Sequence, residues 1–182
     1  MEIKLADSDS ELLQILEVQK QNHLDYISSD DMKVKGFVTV MHNLELLKEM
    51  NNKAKHVIAV EDGKVVGYAL TMVKELSEKV PILVPMFDTF EIVDYQGKKL
   101  SQYNYYVMGQ VCVADSHKGK GVFRAMYSKH KEVFSGLYDL CLTEVSYSNQ
   151  RSMKAHEKVG FKVIKTFKDE TDEWNIIGWD WS

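Results

Sequence analysis

Cysteine and proline are scarce in this chain: two of each among 182 residues. No Cys-x-x-Cys pair and no Cys/His cluster follows metal-ligand spacing, so no metal site is expected. Cys112 lies in Val111-Cys112-Val113 and Cys141 in Leu140-Cys141-Leu142. Both read as small hydrophobes inside strands. Two prolines and ten glycines leave no room for a long flexible linker. No apolar run approaches the roughly 20 residues that span a bilayer. Met1-Glu2-Ile3-Lys4-Leu5 lacks the apolar core of a signal peptide, so the expected address is the cytoplasm. Positive charge is short as well: 23 Lys and Arg against 27 Asp and Glu give a net charge of −4. That excludes nucleic-acid binding by bulk charge and leaves only a local basic patch.

What is present is the balance of a folded protein. Apolar residues make up 45% and charged residues 27%, which is globular rather than disordered. The length suits a single domain over residues 1–182, large enough to bury a core without a disulfide or metal.

Periodicity supplies the elements. Ile3 and Leu5 alternate as a strand. Asp7 to Ser10 offer N-caps to a helix carrying Leu12, Leu13, Leu16 and Gln19/Lys20. Residues 23–36, with Ser28, Ser29, Asp30 and Asp31, read as a polar turn. Val40, Met41, Leu44 and Leu47 predict a second helix over Phe37 to Met50. Val57–Val60 and Val65–Val73, joined by Glu61-Asp62-Gly63-Lys64, predict a hairpin. Met86 to Tyr95 fits a short helix or a strand, and Gln96-Gly97-Lys98 a turn. Tyr103 to Val113 reads as a long strand, Val122 to Phe134 as an amphipathic helix, and Leu140 to Val145 as a buried strand. Asn149 to Val159 predicts a helix that Gly160 closes in the left-handed conformation. Phe161–Phe167 and Glu173–Trp181 are two last strands. Hairpins in the first half and crossovers in the second imply a mixed sheet.

The loop Lys118-Gly119-Lys120-Gly121 joins a strand to a helix. A helix N-terminus offers unpaired N–H groups and partial positive charge, and glycines let a ligand approach the backbone. With Lys118, Lys120 and Arg124, it makes a local anion site on an acidic protein. The plainer alternative is a solvated Gly/Lys turn. A Walker loop fails, because Ala114 takes the first glycine's place and Gly121 the hydroxyl's. A dinucleotide fingerprint is weak, because Arg124 stands where the third small residue belongs. Further on, Asn149, Ser152, Met153 and His156 share one helical face. A lone helical histidine is more often structural, but an Asn/Ser/His stripe is unusual for a core.

The two segments together resemble the GCN5-related N-acetyltransferase (GNAT) superfamily. The resemblance rests on Val111-Cys112-Val113, Lys118-Gly119-Lys120-Gly121-Val122-Phe123 and, one strand later, Asn149-x-x-Ser152-x-x-x-His156-Glu157-Lys158-Val159-Gly160-Phe161. It covers about residues 104–165. The implied fold is α/β of the α+β type: a mixed, mostly antiparallel sheet with a parallel central pair, flanked by about four helices. The implied activity is acetyl-CoA-dependent N-acetylation, in which a primary amine attacks the thioester directly and no metal takes part. The implied cofactor contacts are Val111, Cys112, Val113, Lys118, Gly119, Lys120, Gly121, Val122, Phe123, Arg124, Asn149 and Ser152. Three positions depart from the family pattern. Lys118 replaces Gln or Arg, Phe123 replaces Gly or Ala, and His156 replaces the tyrosine acid.

The chemistry sets further demands. An amine of pKa about 10.4 costs roughly 4.6 kcal/mol to hold neutral at pH 7, so a base or a water chain to one is needed. A leaving thiolate needs a proton donor. His156 is the candidate acid. Glu144, on the strand leading to Asn149, is the candidate base, with a strand-end salt bridge as its plainer reading. Asp88 and Glu91, and the tyrosines Tyr95, Tyr103, Tyr105 and Tyr106, are candidates for lining an acceptor pocket. The expected partner is a small-molecule or peptide amine, with no nucleic acid and no membrane; a homodimer stays open. Two alternatives remain: a non-catalytic acyl-CoA-binding regulatory domain of the same fold, and a dinucleotide-dependent enzyme.

Overall fold

The first helix begins where Ser8 and Glu11 cap each other. In the computed structural model, which describes residues 1–26, 37–168, 170 and 172–182, Ser8 Oγ accepts from the Glu11 N–H at 3.3 Å and Glu11 Oε2 accepts from the Ser8 N–H at 3.1 Å. This reciprocal cap satisfies two orphan donors. It starts α1 (Asp9–Asn22) just after β1 (Glu2–Leu5). The buried stripe of α1 is Leu12, Ile15, Val18, Gln19 and Asn22, and Leu13 faces outward. Of the expected stripe, Leu12 and Gln19 are buried and Leu16 is half-buried, while Leu13 and Lys20 are exposed; Ile15, Val18 and Asn22 complete the inner face.

The chain divides into two compact units, Met1–Thr71 with Gly109–Val133, and Met72–Met108 with Phe134–Ser182. In the first unit, α2 is Leu44–Lys53, not Phe37–Met50. Asn43 Oδ1 accepts from the Leu46 N–H at 2.8 Å and sets the start. Val38 is tied by backbone hydrogen bonds to Asn22 and Leu24 instead of entering the helix. A side chain that captures a backbone N–H overrides apolar periodicity at a helix start. Of the expected turn at 23–36, residues 27–36, with Ser28, Ser29, Asp30 and Asp31, lie outside the described residues. β2 (Val57–Glu61) and β3 (Lys64–Met72) form the expected hairpin, and β1 pairs antiparallel with β2. Helix α1 packs on α2, and Ile15, Leu47, Met50, Ile58, Tyr68 and Leu70 are fully buried.

In the second unit, the segment open between helix and strand contains both. It forms α3 (Val84–Ile92) and then a short hairpin of β4 (Asp94–Tyr95) and β5 (Lys98–Lys99). Next, β6 (Tyr105–Val113) runs from this unit into the first. β6 pairs in parallel with β7 (Leu140–Ser146), from Tyr105↔Leu140 to Val107↔Leu142. Parallel pairing requires a crossover, and α4 (Val122–Phe134) supplies it. After β7 come α5 (Gln150–Val159), β8 (Lys162–Lys168) and β9 (Glu173–Asp180), with β9 antiparallel to both β7 and β8. The strands hydrogen-bond in the order β1-β2-β3-β6-β7-β9-β8. This is a mixed, mostly antiparallel sheet whose parallel pair is β6 and β7, accompanied by α-helices. Lys162, Lys165 and Lys168 lie along the edge strand β8, where charge discourages further strand pairing.

Gly160 ends α5 at φ +127°, wider than the expected left-handed cap. A Cβ there would come within 2.7 Å of Trp179 Nε1, so both the backbone conformation and the space call for glycine. No helix among the described residues is long and apolar enough to cross a membrane.

Candidate functional site

The strand-to-helix loop of the first unit is held at both ends. The Ala114 N–H donates to Val66 O at 2.8 Å. His117 Nε2 lies 2.8 Å from Glu61 Oε2, and its Nδ1 lies 2.8 Å from Ser116 Oγ. Lys118 Nζ is 2.7 Å from Asp115 Oδ1 and donates to Asn22 Oδ1 at 3.0 Å. Lys118 thus ties the loop to α1, and its ammonium is already engaged. Lys120 and Arg124 are exposed. Gly119 and Gly121 have φ of +79° and +82°, a region that costs other residues strain. They turn the chain so that α4 begins immediately. Its first N–H groups, from Val122, Phe123 and Arg124, have no acceptor within the helix by geometry. The Phe123 ring lies 4.9 Å from that of Tyr127, one turn along α4. On β6, Val111 is half-buried and Cys112 and Val113 are buried. Burial pushes the Cys112 thiol up to about 12, and the Cys141 thiol likewise, which makes both poor nucleophiles.

Helix α5 of the second unit is closed by its own side chains. Asn149 Oδ1 accepts from the Ser152 N–H at 3.2 Å. His156 is buried, and its Nδ1 lies 2.8 Å from Ser152 O and 3.3 Å from Ser152 Oγ. A carbonyl oxygen only accepts, so Nδ1 carries the proton. The His156 ring stands edge-on to Phe161, with centroids 5.1 Å apart. Burial lowers the His156 pKa to about 4, partly offset by the bond to Ser152. The ring is therefore neutral at pH 7, with its proton directed at Ser152. Glu144 is half-buried on β7, opposite Ile176 of β9.

Two polar clusters escaped sequence reasoning. In the first unit, Gln19 Nε2 donates to Gln110 Oε1 at 2.6 Å, Tyr68 OH donates to the same oxygen at 2.6 Å, and Gln110 Nε2 donates to Val40 O at 2.8 Å. Gln19 also bonds His42 through both its amide atoms. All four of these side chains are buried. In the second unit, Ser146 Oγ donates to Asp172 Oδ2 at 2.5 Å and lies 2.7 Å from Ser148 Oγ. Both clusters join residues far apart in the chain, so no local spacing announces them. The one available signal was amide and serine residues at positions that otherwise alternate as buried.

The candidate acceptor residues scatter. Asp88 is exposed, and Glu91 Oε1 pairs with Lys74 Nζ at 2.8 Å on the surface. Tyr106 is fully buried against Phe134, Tyr138 and Trp181. Tyr105 packs edge-on to Phe90, and Tyr95 and Tyr103 pair with each other. Tyr95 OH donates to Asp180 Oδ2 at 2.9 Å. For Tyr105 and Tyr106, packing is the better description. Among the described residues, no group of three or more His, Cys, Asp or Glu could hold a metal ion.

The strand order, with its parallel central pair and a glycine turn leading into α4, defines an acetyltransferase scaffold, and comparison agrees. Residues 18–161 match the acetyltransferase (GNAT) family, and the chain belongs to that family. No curated protein matches it. Among solved structures it is similar to the ribosomal-protein-S18-alanine N-acetyltransferase of Escherichia coli, with a TM-score of 0.66 and 12% identity over 100% of this chain and 94% of that one. The ribosomal-protein-alanine N-acetyltransferase of Brucella melitensis gives 0.63 and 16% over 98% of each chain. The yncA protein of Salmonella typhimurium, solved with its cofactor acetyl-CoA, gives 0.64 and 15% over 100% of this chain and 94% of that one. At these identities the likeness is one of fold.

Proposed function

We propose that this protein is an acetyl-CoA-dependent N-acetyltransferase acting on the primary amine of a small molecule or peptide, as one domain over residues 1–182. The carrying observation is the start of α4. Two positive-φ glycines aim a helix N-terminus outward, with Lys120 and Arg124 exposed beside it. Such an end suits a pyrophosphate through backbone N–H groups and partial charge, without a metal. Gly119, Gly121, Val122, Phe123 and Arg124 would supply those N–H groups. Lys118 would set the loop's shape. The backbone of Val111, Cys112 and Val113 would follow the pantetheine. Asn149 and Ser152 are assigned to the cofactor by the sequence resemblance.

His156 fits poorly as the acid. With a pKa of about 4, roughly one ring in a thousand is imidazolium at pH 7, and the neutral ring's proton faces Ser152. We therefore assign protonation of the thiolate to water, and to His156 the task of holding the first turns of α5. The same observation favours a second reading, a non-catalytic acyl-CoA-binding domain. One experiment tests both. The protein is titrated with acetyl-CoA by calorimetry, and free thiol is then followed with an alanine-initiated peptide, spermidine and lysine. Micromolar binding with thiol release supports the enzyme. Binding without release supports the regulatory domain, and no binding removes both.

A further inference from the structure

The polar network buried in the first unit ends on a donor with nothing to bond. Gln19 Oε1 accepts from the His42 backbone N–H at 2.8 Å, so Gln19 Nε2 is the donor 2.8 Å from His42 Nδ1. Nδ1 accepts, and the ring proton is on Nε2. Among the described residues, His42 Nε2 is buried and has no hydrogen-bond partner. The groups behind it are fixed in their turn. Gln19 Nε2 and Tyr68 OH both donate to Gln110 Oε1 at 2.6 Å, and Gln110 Nε2 donates to Val40 O at 2.8 Å. His42 is only 7% exposed, and buried polar groups in folded proteins are nearly always paired. A buried N–H whose proton is fixed by three other side chains therefore marks a place for an acceptor atom.

The same helix face ties this donor to the cofactor loop. Asn22 lies about one turn beyond Gln19 on the buried side of α1, and its Oδ1 accepts from Lys118 Nζ at 3.0 Å. Gln110 directly precedes Val111 on β6. With the phosphates at residues 119–124 and the pantetheine running back along β6 from Val113 to Val111, the acyl end comes next to Gln110. All of these residues belong to the first unit. The ring lies just beneath the surface: Met41 and Asn43 on either side of it are exposed, and residues 39–43 form no helix or strand. The surroundings narrow the ligand. Burial lowers the His42 pKa to about 4, so the ring is neutral at pH 7, and Gln19, Gln110 and Tyr68 carry no charge. A carboxylate or phosphate buried there would need a cation. A carbonyl oxygen needs only the one N–H.

We propose that the His42 Nε2–H binds a carbonyl oxygen of a substrate, with Gln19, Gln110 and Tyr68 as the positioning residues that fix its proton on Nε2. The proposal rests on the N-acetyltransferase reading above. Two substrates carry such an oxygen. Acetyl-CoA has its thioester and its pantetheine amides, and a peptide acceptor has the amide carbonyl next to its free amine. A polyamine has none. If the oxygen is the peptide's, His42 selects a peptide amine over a polyamine. If it is the cofactor's, His42 holds the acyl chain and leaves the choice of amine to other residues.

The test follows the His42 Nε2–H signal of the wild type by proton–nitrogen NMR, assigned through the ring carbons. The protein is titrated with acetyl-CoA, an alanine-initiated peptide and spermidine. The signal should move downfield with acetyl-CoA or with the peptide and stay in place with spermidine. Two variants then separate the sources. In His42→Asn, Oδ1 takes the place of Nδ1 opposite Gln19, but no donor stands at Nε2. His42→Gln reaches further and restores one. A cofactor carbonyl predicts that His42→Asn weakens the acetyl-CoA Kd about tenfold by calorimetry, the order of one hydrogen bond. A peptide carbonyl predicts a KM for the peptide raised about tenfold in thiol release, with kcat and the acetyl-CoA Kd unchanged. In both cases His42→Gln should recover most of the loss, which a merely structural histidine would not require. A signal unmoved by every ligand gives the N–H to water and overturns the proposal, as does wild-type Kd and KM in His42→Asn. Absence of thiol release by the wild type overturns the enzyme reading alone, because the titration still reads the donor.

Discussion

Gln19 fixes the tautomer of His42. Gln19 Oε1 accepts from the His42 backbone N–H at 2.8 Å, so its Nε2 is the atom 2.8 Å from His42 Nδ1. Nδ1 must accept, and the ring proton sits on Nε2. Gln110 cannot be flipped either, since Tyr68 and Gln19 both donate to its oxygen while its nitrogen donates to Val40 O. The same reasoning extends to two more buried rings. His56 Nδ1 accepts from the Thr71 N–H at 3.1 Å, and His130 Nε2 donates to Ala69 O at 3.3 Å.

Long-range proton–nitrogen NMR correlation at pH 7 should therefore show His42, His56 and His130 with the proton on Nε2, and His156 with it on Nδ1. The His156→Phe variant should keep acetyl-CoA affinity and lose less than about tenfold in kcat. An Nε2-protonated His156, or a loss of 10²–10⁴-fold, would restore it as the acid.

Acid should unfold this protein early. Burial lowers the pKa of His42 and His156 to about 4 and of His56 and His130 to about 3. Unfolded, each returns to about 6.5. Below that value the unfolded chain binds more protons than the native one, so stability is full above about 6.5. It falls as pH drops toward 4, by about 1.4 kcal/mol per pH unit for each ring. Against a typical total of about 5–15 kcal/mol, circular dichroism should place the acid midpoint between about pH 4 and 6. A midpoint below 4 would assign acid lability to the carboxylates instead.

The loop's cations should separate by role. Lys120→Glu and Arg124→Glu, both at exposed positions, should weaken acetyl-CoA binding about tenfold with an unchanged Tm. Lys118→Met removes the bonds to Asp115 and Asn22, and should lower Tm by a few degrees with a smaller effect on affinity. Gly121→Asp should lower both, through positive-φ strain and like charge against phosphate. Calorimetry and thermal melts on the four variants check this, and the assignment fails if Lys120→Glu and Arg124→Glu bind like wild type.

Where a signal is local, it was legible in the sequence. The Asp62-Gly63 hairpin, the capped helix Asn149–Gly160 and the glycine turn into α4 each depend on residues within one or two turns. Their cap and turn chemistry acts at short range. The motif pair 118–123 and 149–161 also indicated the family. Periodicity failed where a side chain competed with it, as Asn43 did at the start of α2, and on α1 it was met at Leu12 and Gln19 but not at Leu13, which faces outward.

What only the tertiary structure decided depends on side chains meeting across many residues. Lys118 reads as a free cation until Asn22 and Asp115 are seen around it. His156 reads as an acid until burial and the Ser152 carbonyl fix its charge and its proton. Ser146 ends β7 and Asp172 directly precedes β9, and the fold alone brings them within hydrogen-bond distance. Sequence order carries backbone preference and apolar period. Desolvation, tautomer and the direction of a proton are properties of the assembled environment, and they exist only once the chain has folded.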